Sequence, residues 1–439
     1  MDSRRDFIKK AALGSAAMAT GPIAFGNPNI YGANDRLNFA VAGVVSRGKA
    51  HMGAIGAVDN ARITHVIDVD SRAMAKAVDI VRKAGGKKPK AEGDFRRVLE
   101  DKNVDVITIA TPDHWHAPMA IMALKAGKHV YVEKPCSHNP AEGELLVAAQ
   151  KKYGLQVQMG NQQRSAVTSV QGIKDIRDGI IGDVYYGKAW YSNKRGGIGI
   201  GKETAVPDWL DWELWQGPAP RTPYRDNLVH YKWHWFWRWG TGEINNNGTH
   251  ELDICRWALG VDYPKRVTSS GGRYHFNDDW EFYDTQVANF EFDGGKMITW
   301  EGKSCNNQKY FDRGRGATIS GTKGYAMLDR NGCYFYDNDG KLIKEMKEKE
   351  QSATTNTLGR GSLDDRHMNN LANAIRNGEE LRSPIWDGHI SNLLPHLGNI
   401  AQECGGSINC NPANGNIIGN PKASAMWSRE YEPGWEPTI

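Results

Sequence analysis

Residues 37–48 read Leu37-Asn38-Phe39-Ala40-Val41-Ala42-Gly43-Val44-Val45-Ser46-Arg47-Gly48. An uncharged, mostly apolar run passes directly into a glycine, and a second glycine follows within one turn. A run of this length closed by glycine predicts a strand buried on both faces, a turn over 43–48 and a helix on to Val58. The same rhythm continues downstream. Strands are expected at Arg62–Asp68, Val104–Ala110, His129–Val132 and Leu155–Met159, with helices at Met74–Ala84, His116–Ala126 and Pro140–Tyr153. Strands alternating with helices at this spacing imply a parallel, doubly wound sheet.

After about residue 160 the rhythm changes. Val184–Ser192 alternates like a strand, a Trp- and Pro-rich irregular stretch covers 207–240, and Gly248–Leu259 reads as a helix. Strands then follow in succession at Arg266–Phe276, Asp284–Phe292, Lys296–Lys303, Gly316–Ser320, Tyr325–Asp329 and Cys333–Tyr336. Asp-Gly and Gly-Gly turns between them imply a mostly antiparallel sheet. Residues 340–360 read as a polar surface loop, Asp364–Asn377 and His389–Cys404 as helices, and the tail from Asn409 as extended over the surface. The expected class is α/β: a doubly wound parallel sheet, then an α+β domain with a large open sheet. The expected boundaries are 34–160 and 161–439, with a leader over 1–33.

The leader carries Ser3-Arg4-Arg5-Asp6-Phe7-Ile8-Lys9-Lys10 before a weakly apolar stretch. The paired arginines before Phe-Ile-Lys resemble a twin-arginine export signal, which implies a periplasmic protein exported already folded. The net charge of +4 over 439 residues is small, and half of the excess lies in the leader. Neither a nucleic-acid partner nor a membrane span is expected. The six cysteines form no C-x-x-C pair and are read as mostly free; Cys404 with Cys410 is the pair close enough to suspect as a bridge.

The turn 43–48 has the form G-x-x-x-x-G, with Val45 where the central glycine of G-x-G-x-x-G would stand. Asp68 closes the second strand 25 residues after Gly43. A carboxylate there accepts hydrogen bonds from ribose hydroxyls and repels a 2′-phosphate, so NAD is the expected cofactor. The third strand ends in Thr111-Pro112-Asp113-His114-Trp115-His116, on the loop side that faces the cofactor crevice. Its two histidines lack a third ligand nearby, so capping and packing beside the nicotinamide ribose is expected and no metal. The fourth strand ends in Glu133-Lys134-Pro135. A lysine at that edge, positioned by the glutamate, stabilises a substrate oxygen as it gains negative charge.

Together with Gly127-Lys128-His129-Val130-Tyr131-Val132 and Gly160-Asn161-Gln162-Gln163-Arg164, these segments resemble the glucose–fructose oxidoreductase/inositol dehydrogenase/MocA (Gfo/Idh/MocA) family over nearly the whole mature chain. The resemblance implies a Rossmann domain, a second α/β domain whose open sheet often forms the oligomer interface, a nicotinamide cofactor and a sugar or cyclitol substrate. The cofactor contacts expected on this basis are Gly43, Ser46, Arg47, Gly48, Asp68, Thr111, Pro112, His114, His116, Glu133, Lys134, Asn161 and Gln163. Gly248-Thr249-His250-Glu251-Leu252-Asp253 matches the family's second signature, so Lys134, His250 and Asp253 are the expected catalytic group: His250 as base, Lys134 polarising the oxygen, Asp253 orienting them. Arg164, His234, Trp235 and Arg238 join these three as expected substrate contacts; Trp at every second position from Tyr231 to Trp239 reads equally as a sugar-stacking platform or as a buried strand.

The functional expectation is an NAD-dependent oxidoreductase acting on a sugar, glycoside or cyclitol. Free NAD is scarce outside the cytoplasm, so the cofactor is expected to be held through many turnovers. Two alternatives stand beside it: redox-neutral glycoside hydrolysis through transient oxidation, and a non-catalytic sugar-binding protein. A homo-oligomer, dimer or tetramer, is expected.

Overall fold

The structure is a computed structural model that describes residues 35–348 and 361–439. The leader and residues 349–360 lie outside the described residues.

The chain from Leu37 begins with β1 (Leu37–Ala42), α1 (Arg47–Ile55), β2 (Ala61–Ile67) and α2 (Ser71–Lys83). Then come β3 (Lys90–Glu92), α3 (Phe95–Leu99), β4 (Val106–Ile109), α4 (Asp113–Lys125), β5 (His129–Val132), α5 (Pro140–Tyr153) and β6 (Val157–Met159). The strands form one parallel sheet in the order β3-β2-β1-β4-β5-β6. Side chains of β1 alternate between two cores: Phe39 and Val41 face one, Ala40 and Ala42 the other. That two-sided burial is why β1 is apolar at every position but Asn38. Local chemistry sets the helix ends. Asp70 caps α2 through the Arg72 and Ala73 N–H groups, and Asn139 caps α5 with Pro140 at its first position. The edge strand β3 and the five-residue α3 were not anticipated; both are too short to show a period.

The second half contributes α6 (Val167–Arg177), β7 (Val184–Ser192), α7 (Trp212–Gln216), α8 (Thr249–Leu259), β8 (Arg266–Gly272), β9 (Thr285–Glu291), β10 (Met297–Lys303) and β11 (Arg315–Gly321). It continues through β12 (Gly324–Asp329), β13 (Gly332–Asp337), β14 (Leu342–Lys347), α9 (Ser362–Asn377), α10 (Ile385–Glu403), β15 (Ser407–Cys410), β16 (Ile417–Ile418) and α11 (Pro421–Ala425). Ten strands form one sheet, β14-β13-β12-β11-β7-β10-β9-β8-β15-β16, antiparallel except for the β7–β10 pair. One face buries Ile298, Trp300, Ala317, Ile319 and Phe335 against Leu252, Ile254, Leu393 and Leu397 of α8 and α10.

Three expectations change. Residues 342–347 are a strand, not loop, because they pair with β13 along its free edge. The tail is not simply extended: it adds β15 and β16 to the sheet and ends with a helical turn. The alternating Trp segment is not a strand; Lys232–Trp235 is a single 3-10 turn. Trp233, Trp235 and Trp239 instead fill an aromatic core with Trp212, Trp215 and Trp280. All six cysteines are free, and Cys404 lies against Met426 rather than bonding Cys410.

Two connections position the site. Helix α9 returns to the first sheet, where Met368 and Leu371 pack beside Phe39. The Trp-rich segment is tied to the end of β2. The Ser71 N–H donates to the Trp209 carbonyl at 3.0 Å, and the Asp211 N–H to the Val69 carbonyl at 3.0 Å. His230 Nε2 lies 2.8 Å from Asp70 Oδ2, and the Arg72 guanidinium sits 3.5 Å above the Trp209 ring. Among the described residues, no helix is long and apolar enough to cross a membrane.

Candidate active site

Strand order reverses between β1 and β4, and the crevice at their carboxyl ends is where a doubly wound sheet binds ligands. Gly43 leaves β1 at φ +80°, and a Cβ there would stand 2.4 Å from the Ala110 carbonyl oxygen at the end of β4. A Cβ on Gly48 would meet the Gly43 carbonyl at 2.0 Å. Both glycines are therefore required by close packing of the turn. Asp68 braces the turn from β2: its Oδ2 accepts the Val44 N–H at 2.8 Å and its Oδ1 the Asp70 N–H at 3.0 Å. Burial pushes the Asp68 carboxyl above the usual range, against those two backbone donors.

A cavity of about 450 Å³ runs along this edge. Gly43, Val45, Ser46, Asp68, Thr111 and Pro112 line one part of it, and Lys134, Asn246, His250, His116, Tyr231 and His234 line another. The buried Thr111 hydroxyl has no partner. A turn with no room for a Cβ at Gly43 or Gly48, a strand-end carboxylate and an unpaired hydroxyl together fit a dinucleotide along the first part. Val45 lines that part in the central-glycine position.

Glu133 organises the far end. It accepts from Arg47 Nε at 2.7 Å and from Gln162 Nε2 at 2.9 Å, and His51 Nε2 lies 3.0 Å away. Burial alone would raise its carboxyl; Arg47 and His51 outweigh this and hold it well below the usual range. Arg47 also reaches Asp364 of α9, so this guanidinium lines the cavity already committed to two carboxylates. Lys134 points its ammonium at the Asn246 carbonyl and at Asn246 Oδ1, the latter 3.2 Å away. Burial pulls Lys134 down, Asp113 and Glu133 pull it back, and it settles at about 8. Asp113 accepts the Thr241 hydroxyl at 2.6 Å, and burial raises its carboxyl. His250 is 2 % exposed, and neither ring nitrogen has a partner. Burial, reinforced by Arg330 and Lys134, holds it well below the ordinary histidine range, so the imidazole is neutral.

Several expected residues stand elsewhere. Asp253 is not at the cavity. Three residues along a helix leave about 60° between side chains, enough for His250 to face the crevice while Asp253 turns to Arg164. Arg164 Nε and Nη2 grip Asp253 at 2.8 and 2.6 Å, and Ser391 adds a third bond at 2.5 Å. Arg164 also pairs with Asp387 at 2.7 Å. Both residues thus belong to an ion network beside a separate groove, not to the substrate wall. Trp235 stacks on Trp280 at 3.8 Å inside the aromatic core, and Arg238 is exposed, donating to the Pro220 carbonyl. His114 lies between the Trp215 and Trp239 carbonyls behind the crevice, and burial holds it at about 3. Gly48, Asn161 and Gln163 do not line the cavity; Gln162 does, bridging Tyr131 and Glu133. His116 lines it with both nitrogens facing carbonyls, of Pro135 at 2.6 Å and Thr111 at 2.8 Å. His234 lines it too, stacked on Trp233 at 3.6 Å.

Asn246, Gln162, Asp113 and Tyr231 escaped sequence reading. Asn246 left one signal: it precedes His250 by four residues, one helical turn. The run Asn245-Asn246-Asn247 forms a π-helical turn, Ile244–Gly248, leading into α8. Such a turn recurs at functional sites because it re-aims side chains.

Residues 37–161 match the NAD-binding Rossmann domain of the Gfo/Idh/MocA oxidoreductase family, and residues 173–327 match that family's C-terminal domain. An α-N-acetylgalactosaminidase of Tannerella forsythia is 23% identical over 93% of this chain and 95% of its own length. A glycosyl hydrolase family 109 protein of Saccharopolyspora erythraea is 31% identical over 43% of this chain and 45% of its own. Among solved structures, the WlbA dehydrogenase of Bordetella pertussis, in complex with NADH and UDP-GlcNAcA, superposes with a TM-score of 0.65 at 20% identity, over 86% of this chain and 98% of that one.

Proposed function

The chain belongs to the Gfo/Idh/MocA family of NAD-binding oxidoreductases, and from that premise we propose that it oxidises a secondary hydroxyl of a sugar, glycoside or cyclitol with NAD that stays on the enzyme. The observation that carries this reading is that one cavity is lined by both His250, a neutral imidazole with neither nitrogen bonded, and Lys134, whose ammonium is drawn down to about 8. NAD, when bound, would supply the hydride acceptor, and Gly43, Ser46, Asp68 and Thr111, which line the crevice, would hold it. His250 takes the hydroxyl proton as the carbinol C–H leaves as hydride. Lys134 donates to the same oxygen, whose negative charge grows in the transition state. Asn246 orients Lys134 through its two oxygens.

A second reading is redox-neutral glycoside hydrolysis, and its support is the near full-length match to a protein named α-N-acetylgalactosaminidase. Oxidation at C3 acidifies the C2 proton, the aglycone leaves by elimination, water adds, and the ketone is reduced by the hydride first removed. The two readings separate in D2O. Hydrolysis leaves deuterium at C2 of the released sugar; simple oxidation yields a ketone and no cleavage. Turnover undiminished in Lys134→Met would take Lys134 out of both mechanisms, whereas a wild type that binds sugars and turns none over would return the chain to a sugar-binding role.

The proposal extends to export by the twin-arginine route with the cofactor aboard, and to a homo-oligomer. Denaturing protein purified without added nucleotide, and weighing what is released, tests the first: near-stoichiometric NAD or NADH is expected, and an empty protein removes the carried cofactor. Light scattering tests the second.

A further inference from the structure

The histidines that line the cavity, His116, His230, His234 and His250, differ in which ring nitrogens the protein has already used. His116 turns both to carbonyls, of Pro135 and Thr111. His230 turns Nε2 to Asp70 at 2.8 Å. His250 has neither nitrogen bonded. In His234, Nδ1 lies 2.6 Å from the Tyr231 carbonyl oxygen. A carbonyl only accepts, so Nδ1 carries the proton and the lone pair of the neutral ring stands on Nε2. That Nε2 makes no hydrogen bond among the described residues and is not closed over by protein.

The ring is held in place. It stacks on Trp233 at 3.6 Å and meets the Tyr231 ring at 4.5 Å. A bonded chain ties it to the Lys134 end of the cavity. The Tyr231 hydroxyl accepts from Arg195 Nη1 at 3.0 Å, and Arg195 Nε donates to Glu243 at 2.7 Å. Glu243 also accepts from the Asn247 amide, next in the chain to the Asn246 that faces Lys134. Burial, backed by Lys134 and Arg195, outweighs the Tyr231 carbonyl and holds the imidazole well below the ordinary histidine range, so it is neutral.

Oxidising a hydroxyl releases one proton and occupies one base, His250. A second free imidazole has no part in that step. The ketone it leaves acidifies the C–H bonds on either side, and a positioned base accelerates their ionisation.

We propose that His234 is a second base of this site, taking the proton from C2 once C3 has become a ketone. The inference rests on the reading of Lys134 and His250 as the oxidation site, and it assigns the chemistry that follows oxidation. The C2–H bond breaks toward His234 Nε2. Its electron pair forms a C2–C3 double bond, and the carbonyl pair moves onto the oxygen to which Lys134 donates. When that pair returns, either C2 regains a proton, or the bond from C1 to the glycosidic oxygen breaks and that oxygen takes a proton from water.

The test uses the purified holoenzyme in D2O with methyl glucosides and methyl galactosides of both anomers, and with their 3-oxo derivatives supplied directly. NADH formation is followed by absorbance, and deuterium at C2 by proton NMR against an enzyme-free blank. The wild type is expected to deuterate C2 of at least one 3-oxo glycoside faster than the blank. His234→Asn, whose amide still donates to the Tyr231 carbonyl, is expected to lower that exchange by about a hundredfold, the scale of one positioned base. A wild type no faster than the blank overturns the proposal without any variant, so a misfolded His234→Asn does not shelter it; NADH formed in that same protein leaves the oxidation reading standing. Exchange that persists in His234→Asn overturns it equally and gives the C2 proton to another base. Exchange of a 3-oxo glycoside with no NADH formed from any parent sugar supports His234's role and defeats the oxidation reading alone.

Discussion

Two buried ionic clusters flank α8, and they differ in how completely their charges are met. Around Asp253 every group is answered. Arg164 bridges Asp253 and Asp387, Arg256 reaches Asp387, Asp262 and Ser391, and Ser391 closes the circuit on Asp253. One turn earlier, Lys134 meets amide oxygens of Asn246, His250 meets nothing, and one edge of Arg330 meets nothing. The first cluster spends its charges on itself and locks α6's approach, α8 and α10 together. The second leaves donors and an imidazole for a group that is not protein. Ionic groups on one helix thus serve architecture or chemistry according to whether neighbouring residues complete them.

The sharpest way to break this contrast is to change one charge in each cluster. Lys134→Met is expected to lower kcat by about a thousandfold, within the usual range for a positioned proton-transfer or charge-stabilising group, and to leave the urea midpoint unchanged or higher. Asp253→Ala is expected to do the reverse. Removing one partner of a buried pair costs about 3–5 kcal/mol, seen as a lower urea midpoint, while folded molecules retain turnover. A catalytically dead but stable Asp253→Ala would show that the two clusters are not distinct in role.

His250→Asn comes next, with an expected loss of about a hundredfold in kcat and nucleotide content unchanged on gel filtration. Its neutral imidazole should keep kcat/KM flat on the acid side through the ordinary histidine range, and the Lys134 ammonium should impose a fall above pH about 8. The same shift has a stability signature. Between about 8 and the ordinary lysine value of 10.5, the unfolded chain holds a proton on Lys134 that the folded chain has released. Stability from this group therefore rises with pH across that window, and the burden of the buried ammonium is carried in full below it. The smallest effect is expected of Asn246→Ala: a loss of about tenfold, with the alkaline limb moved to lower pH because the ammonium loses an acceptor. An unmoved limb would take Asn246 out of the positioning of Lys134.

Much of the molecule was readable because local signals agreed. The run Leu37–Ala42, Pro140 after Asn139, and Gly154 after Tyr153 each specify a strand or helix end without outside help. Lys134 and His250 were legible as types at strand and helix termini. Asp253 misled because its spacing from His250 fits a shared face, while its true partner, Arg164, is 89 residues away in sequence. The Trp run from Tyr231 to Trp239 misled because alternation is a strand signal only when neighbouring strands accept it. Here Trp212, Trp215 and Trp280 gather the indoles into a core of their own.

The order of strands and helices, the glycine turn, the strand-end Asp68 and the Glu133-Lys134-Pro135 edge were fixed by sequence, because each depends on residues within one or two turns of the chain. Which polar groups are left unsatisfied was decided by tertiary structure. That Arg315 completes Glu251 while Arg330 completes nothing follows from strand register and helix packing. A side chain's partners are set by what the fold brings within about 3 Å, the reach of a hydrogen bond, and no spacing along the chain contains that distance.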